Sequence, residues 1–553
     1  EEREPLNTGA VIPIYPTSEG LKKIGLESRS FRRIIKACID AYELDELEFL
    51  SKEMVDEHSL FPLTSALQHI HFAPDVETLS GAVRRLKFDE HFFLQLLMAL
   101  RKTIITEQSG RTMTEVGPYV KEIYETLGFE LTGAQKRVLK EIRADMASPQ
   151  VMNRLLQGDV GSGKTIVAIL ASAVAVSNGA QVAVMVPTEI LAHQHYHVFK
   201  SYLDAVRVPT ALLVGKQKST ERKKILTAIQ EGRVNVVVGT HAIIQDEVTF
   251  QDLGLVIIDE QHKFGVKQRL ELAYKGSNDC DILLMSATPI PRTLILTLYG
   301  DMDVSRLIEK PANRKKIITL SKPEEKISEV LTFLKKQISM GNQVFWVCPL
   351  IEESKNFDYT AAVKKYELLT TKFSKKVGLI HGNLTKDEKE TVLKKFLNKS
   401  IDVLVSTTVI EVGIDFPNAN AIVIENSNKF GLSQLHQLRG RVGRGVNQGT
   451  CILLFKKNLS ENAKKRIKIL KSTNDGFEIA EEDMRIRGYG DVLGYQQSGI
   501  KDFKLADPIH HEELFKLAEM NIKEIENNEK DFKKFEPLLK LYDKADIINE
   551  IQS

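Results

Sequence analysis

The chain has 553 residues, 42% of them apolar and 27% charged, which is material for roughly three to five domain cores and excludes both global disorder and a fibrous repeat. Lys and Arg number 76 against 74 Asp and Glu, a net charge of +2, so any pull on nucleic acid must come from basic residues placed locally. Cys38, Cys280, Cys348 and Cys451 stand singly, which excludes a disulfide framework and a paired-cysteine zinc site.

No apolar run reaches the roughly 20 residues of a membrane span, and the opening EEREPLNTG is polar. A soluble, cytoplasmic protein is expected. The first residue is Glu1, which suggests a chain that starts inside a longer parent. Residues 1–112 read mainly as helices, because Phe88, Phe92, Phe93, Leu96, Leu97 and Leu100 recur at helical spacing. The polar stretch Glu107–Pro118 reads as a linker.

A parallel α/β block is predicted over 113–312. The unbroken apolar runs Leu155–Leu156, Val182–Val186, Val234–Val238, Leu255–Ile258 and Ile282–Met285 are the pattern of strands buried on both faces. A second such block is predicted over 313–462, with runs at Gln343–Cys348, Val377–Ile380, Val403–Val405, Ile422–Ile424 and Cys451–Phe455. Residues 463–553 read as helical and charged, interrupted by a Gly-rich stretch at Gly488–Gly499.

The first run leads into Gly158-Asp159-Val160-Gly161-Ser162-Gly163-Lys164-Thr165, and Ile166–Val176 then reads as a helix. Strand, GxxxxGKT loop and helix together form a Walker A motif. Gly158, Gly161 and Gly163 let backbone N–H groups, Ser162 among them, approach phosphates; Lys164 reaches the β and γ phosphates, and the Thr165 hydroxyl can hold Mg²⁺. The run Val256–Ile258 delivers Asp259 and Glu260 to a strand end, with Asp259 a candidate Mg²⁺ ligand and Glu260 a candidate to polarise the attacking water. Ser286-Ala287-Thr288-Pro289 ends a further strand. In the second block, Arg441 and Arg444 of QLRGRVGR fall three apart, on one helix face, where they can meet a γ phosphate. Glu411–Asp415, with Gly413 and Asp415, is a candidate second contact to the nucleotide.

In this order the motifs resemble those of superfamily two helicases and translocases, whose two RecA-like domains sandwich ATP. The resemblance implies an α/β fold of two tandem RecA-like motor domains, with a helical N-terminal segment and a C-terminal helical-hairpin translocation motif. Leu131–Gln135 looks like the adenine-reading Q motif, with Gln135 as reader and Phe129 as a stacking partner. Thr188 of PTE, with Thr240 and His241 of GTH, is similar to the strand-gripping residues of the first domain. Residues 473–499 resemble the translocation motif of the RecG and Mfd families, and IPIYPTSEGL, ALQHIHFAPD and VRRLKFDEHFFLQLLMAL look like RecG. The whole chain resembles the RecG family of bacterial DNA helicases, which implies ATP and Mg²⁺ as cofactors and branched double-stranded DNA, forks and Holliday junctions, as substrate. It further implies a monomer with single-strand-binding protein as a partner, and translocation roles for Arg466, Arg487 and Gln497.

The family's OB-fold wedge would lie almost entirely before residue 1, leaving only its tail near Ile12–Leu21. Tyr489 stands where the family usually has Pro, and Gln496 where a basic residue is common. Three other readings are weaker. An RNA helicase conflicts with DEQH and the translocation motif. An ATPase-dead scaffold conflicts with intact Lys164, Asp259, Glu260, Arg441 and Arg444. A P-loop metabolic kinase has no use for the second block.

Overall fold

The computed structural model describes residues 10–42, 44–106, 110–215, 217–260, 275, 280–290, 302–311, 315–349, 355–373, 376–407, 416–445, 447–487, 504–507, 510–528, 532–542 and 544. They form two compact units, one assembled from the residues before Thr106 and after Arg487, the other from those between.

The first unit is built on a long helix, α1 (Val76–Thr106). Its apolar stripe, Phe88, Phe92, Leu96 and Leu100, packs on Phe49, Leu50, Val55 and Leu60. Arg85 is wholly buried on α1 and holds Glu48 and Asp89 at 2.7 Å each. Its guanidinium also donates to the Phe61 carbonyl, and such full pairing is what a buried cation requires. Upstream, Arg32 donates to Pro13 O at 2.8 Å and the Tyr15 hydroxyl meets His71 Nδ1 at 2.7 Å. Part of the stretch expected as a wedge tail is thereby laid against the helices that follow.

The second unit holds two parallel sheets. A helix α2 (Gly133–Met146) precedes β1 (Asn153–Gly158), α3 (Lys164–Ser177), β2 (Gln181–Met185) and α4 (Glu189–Leu203). Then come β3 (Thr210–Leu213), β4 (Val236–Gly239), β5 (Leu253–Ile258), β6 (Asp281–Ser286) and β7 (Asp303–Leu307). The strand order is β3-β4-β2-β5-β6-β1-β7. Every residue of β2 and β5 is buried, as helices on both faces demand. The loops leaving β5, β6 and β1 emerge side by side at the carboxyl edge, where open parallel sheets collect ligands.

The second sheet contains β8 (Ile318–Pro323), β9 (Gln343–Val347), β10 (Val377–Ile380), β11 (Val403–Ser406), β12 (Ala419–Ile424) and β13 (Thr450–Phe455). Their order is β10-β11-β9-β12-β13-β8. Helix α5 (Leu432–Arg439) lies between β12 and β13, and a hairpin of α6 (Glu461–Ser472) and α7 (Gly476–Arg487) follows. Phe345, Phe396 and Phe416 form the aromatic centre of this core, with ring centroids 5.0–5.4 Å apart. Val186, Leu191 and Val214 join the same core from the first sheet's side.

Beyond the hairpin, α8 (Glu512–Asn528) and α9 (Glu536–Leu541) complete the first unit. Leu514, Ala518, Ile522 and Leu538 enter the α1 core, Phe535 stands 5.4 Å from Phe92, and Tyr542 stacks on Phe93 at 3.9 Å. The buried Glu90 carboxylate accepts the backbone N–H groups of Lys504, Leu505 and Ala506 at 2.7–3.0 Å.

Two expected boundaries change. The block 463–553 divides at Arg487, because Ile467, Leu470 and Ile479 of the hairpin belong to the second sheet's core while α8 and α9 belong to that of α1. The block 1–112 ends earlier, and the expected linker Glu107–Pro118 is not a free connector. From Gly110 onward it is stitched to the first sheet: Met113 is fully buried and bonds to Met146 O, and Arg111 pairs with Asp252 at 2.6 Å.

Candidate nucleotide and nucleic-acid site

The Walker loop bends where its glycines permit. Gly161 and Gly163 hold φ of 76° and 84°, values that a side chain disfavours. A Cβ on Gly163 would also stand 2.2 Å from Gln135 Nε2. Gln135 closes a capping box with Thr132 at the start of α2, while its Nε2 donates to Ser162 O at 2.9 Å. The amide assigned to adenine therefore supports the phosphate loop from behind. Phe129, before this helix, is exposed. Lys164 is buried and donates to Gly158 O at 2.8 Å and to Asp159 O at 3.3 Å. Burial lowers its pKa, and the charges of Asp259 and Glu260 oppose that shift. The buried Ser162 hydroxyl has no hydrogen-bond partner among the described residues. This glycine cradle with its lysine fits a polyphosphate. Thr165 is half-buried in the first turn of α3.

Asp259 and Glu260 follow β5. The Asp259 carboxylate meets His195 Nε2 of α4 at 3.0 Å and accepts the Glu260 N–H at 2.9 Å. Burial pushes its pKa up, but His195 and Lys164 outweigh burial and hold it below the usual range. Glu260 is buried at φ 51°. Burial, then the Asp259 charge, pushes its carboxyl up to about 6, against the pull of Lys164 and Arg441 and a hydrogen bond from the Ala287 backbone. Two neighbouring acids with opposite shifts suit a cation-holding carboxylate beside a general base. At the end of β6, the Ser286 and Thr288 hydroxyls lie 2.9 Å apart.

The helix α5 ends at Arg439, so Arg441 and Arg444 do not share a helix face as expected but stand on the turn and loop that follow it, and this loop closes on the site. A Cβ on Gly440 would stand 3.3 Å from Val160 Cβ. Arg441 is buried and its charge acts on Glu260; Arg444 donates to Gly440 O at 3.2 Å and its charge acts on Lys164. The structure thus gathers Lys164, Asp259, Glu260, Arg441 and Arg444. Gly413 and Asp415 lie outside the described residues.

The residues assigned to DNA are spread more widely. Thr188 caps α4, accepting from Leu191 N at 3.4 Å. Thr240 is buried, its hydroxyl without a partner among the described residues, and the adjacent His241 is exposed. Arg466 on α6 donates to Phe430 O at 3.1 Å, so it ties the hairpin to the loop before α5. Arg487 is the last residue of α7; its side chain, together with Tyr489, Gln496 and Gln497, lies outside the described residues. Sequence reasoning missed His195 and Asp483. Asp483 of α7 accepts Leu432 N and Ser433 N at 3.1 Å each, capping α5. His193, His195 and His197 alternate along one helix, and only His195 is buried.

Family models match in three places: a DEAD/DEAH box helicase at residues 132–296, a helicase conserved C-terminal domain at 325–446, and the C-terminal part of domain 3 of the ATP-dependent DNA helicase RecG at 473–544. The chain is 44% identical over 514 residues to the ATP-dependent DNA helicase RecG of Synechocystis, with 92% of this chain and 61% of the relative covered. It is also 44% identical over 504 residues to the Bacillus subtilis protein of that name, covering 91% of this chain and 73% of the relative. Against a solved structure of RecG bound to a three-way DNA junction, the TM-score is 0.73 at 39% identity, covering 94% of this chain and 66% of the other. The chain thus spans 61% to 73% of the length of these relatives.

Proposed function

This chain belongs to the RecG family of ATP-dependent DNA helicases, and on that footing we propose that it is an ATP-driven motor on double-stranded DNA. Its substrates in this reading are stalled forks and Holliday junctions, remodelled during recombination and repair. The observation that carries it is the gathering of Lys164, Asp259 and Glu260 from one sheet with Arg441 and Arg444 from the other.

ATP with Mg²⁺ supplies the phosphoanhydride bond whose cleavage drives the cycle. Lys164 neutralises charge on the outer phosphates, leaving the loop carbonyls it now holds. Thr165 and Asp259 would hold the cation. Glu260, with its raised pKa, orients the attacking water and takes up its proton. Arg441 and Arg444 balance the charge that spreads over the transferred group. Because they sit beyond the second sheet, their engagement draws the two sheets together, and release lets them part. Phosphate contacts made through Thr188, Thr240 and His241 would hold a strand without reading its sequence.

A monomeric, cytoplasmic protein working beside single-strand-binding protein completes the proposal. Among the described residues no helix is long and apolar enough to cross a membrane. ATP hydrolysis measured with no DNA, with linear duplex and with a model fork tests the reading. Stimulation by DNA, greatest with the fork, is expected; turnover indifferent to DNA would sink it.

A further inference from the structure

The Walker loop is held by more than its own sheet. The Asp159 carboxylate meets His436 Nε2 of α5 at 2.9 Å and pairs with Lys310 Nζ at 2.5 Å. Lys310 also donates to Asn474 O at 3.2 Å. On the other side of the imidazole, Arg439 lies 2.8 Å from His436 Nδ1. Arginine has only donors, so Nδ1 accepts and Nε2 carries the proton that Asp159 accepts. Arg439 continues to Leu470 O at 2.6 Å and Thr473 O at 2.8 Å. Through Lys310 and through His436 with Arg439, one carboxylate of the Walker loop reaches the turn that joins α6 to α7.

The backbone of that turn makes the same approach. A Cβ on Gly476 would stand 2.8 Å from His436 Nε2, 2.8 Å from Pro289 Cγ and 3.2 Å from Asp159 Cγ. Only glycine brings the turn this near to three nucleotide motifs at once. Next along, the Phe477 ring lies 5.5 Å from the Arg306 guanidinium of β7. Asp159 and His436 are both buried. A buried charged group is costly unless it is paired on all sides, so this contact differs in kind from an exposed ion pair, which contributes little.

We propose that Asp159, Lys310 and His436 form a latch that couples the nucleotide loop directly to the turn Thr473–Gly476. This rests on the motor reading above and adds a route for it, since the hairpin is then moved by the phosphate loop itself as well as by closure of the two sheets. Asp159 is suited to the task because its carbonyl accepts from Lys164 while its carboxylate holds the turn. When Lys164 turns to phosphate, the peptide it releases carries the latch. These are positioning residues, acting through the loop and the turn.

A latch of this kind is a coupling free energy between two binding sites, and so it is reciprocal: nucleotide must alter DNA affinity by the factor by which DNA alters nucleotide affinity. The test measures binding of the full chain to a fluorescent linear duplex by anisotropy, with and without AMP-PNP and Mg²⁺. For the unaltered chain the two affinities should differ by about fivefold or more, the lower end of ordinary coupling. Lys310→Met should reduce that ratio to under about twofold, with the affinities for duplex alone and AMP-PNP alone held within about twofold, and Gly476→Ala should reduce the ratio likewise. Lys310→Arg should restore the ratio. A contact that only stabilised the fold would weaken both affinities together and leave their ratio intact. That outcome overturns the latch, as does an unaltered chain that hydrolyses ATP with duplex present yet shows no coupling. Should Gly476→Ala fail to fold, Lys310→Met decides alone. An unaltered chain that neither binds AMP-PNP nor hydrolyses ATP with DNA would instead sink the motor reading.

Discussion

Glu260 concentrates several costs in one side chain. It is buried, stands beside another carboxylate, and adopts a positive φ that non-glycine residues rarely hold; backbone strain of this sort is characteristic of functional positions. Glu260→Gln keeps the shape and removes the base. ATP turnover should fall by about 100-fold or more while AMP-PNP binding changes little, and a variant that hydrolyses normally would remove Glu260 from the mechanism. Arg444→Ala should cut turnover by about a thousandfold if the guanidinium acts on the transferred phosphate; steady-state hydrolysis near the unaltered rate would return Arg444 to a packing role. Glu260 could be picked out because it follows an apolar strand, and Arg444 because of its spacing within QLRGRVGR. His195 was not, since three alternating histidines on one helix look alike until packing turns one inward. Gln135 was legible as a residue of interest, but which of its neighbours the amide would meet depends on how α2 sits against the loop.

At the scale of elements, the sequence reading finds strands that are buried on both faces and overlooks those that are not. β3, β7 and β8 were missed, and each lies at an end of its sheet, whereas β10, the fourth end strand, was found because three of its four residues are buried. β8 has no buried residue and β7 only two, so neither reads as an apolar run. An end strand has a neighbour on one side only and carries the weaker pattern for that reason. The docking of the hairpin was equally hidden, because it depends on Asp483 meeting the N–H groups at the start of a helix some 50 residues earlier. Helix caps of this type contribute about 1 kcal/mol. Asp483→Ala should lower stability toward denaturant by roughly that amount, and should loosen α7 in hydrogen exchange. Unchanged exchange in Gly476–Arg487 would show that the apolar contacts of Ile467, Leu470 and Ile479 hold the hairpin without the cap.

At the scale of the molecule, one of the two units is closed by parts of the chain that are far apart in sequence. Glu90 binds Leu505 across 415 residues. Charge-assisted bonds of this kind contribute about 1.5–3 kcal/mol, so Glu90→Ala should raise exchange of the Lys504–Ala506 amides selectively, with α8 following to a lesser degree. Ending the chain at residue 503 should go further. Phe92 and Phe93 lose Phe535 and Tyr542, which flank α9, and the α1 core loses the side chains of α8, so the product should bind an apolar dye that the whole chain does not. A shortened chain that stays dark would mean that α1 and its upstream helices close their own core. Time enters here as well. At ~5–20 residues per second, on the order of 20–80 s separate the synthesis of Glu90 from that of its partner amides. For that interval the ribosome carries an apolar helix whose cover has not been made, while both sheets of the other unit emerge and can fold. The apolar stripe of α1 must therefore be shielded until Leu514–Leu539 arrive, and this core is finished later than its first helices are made.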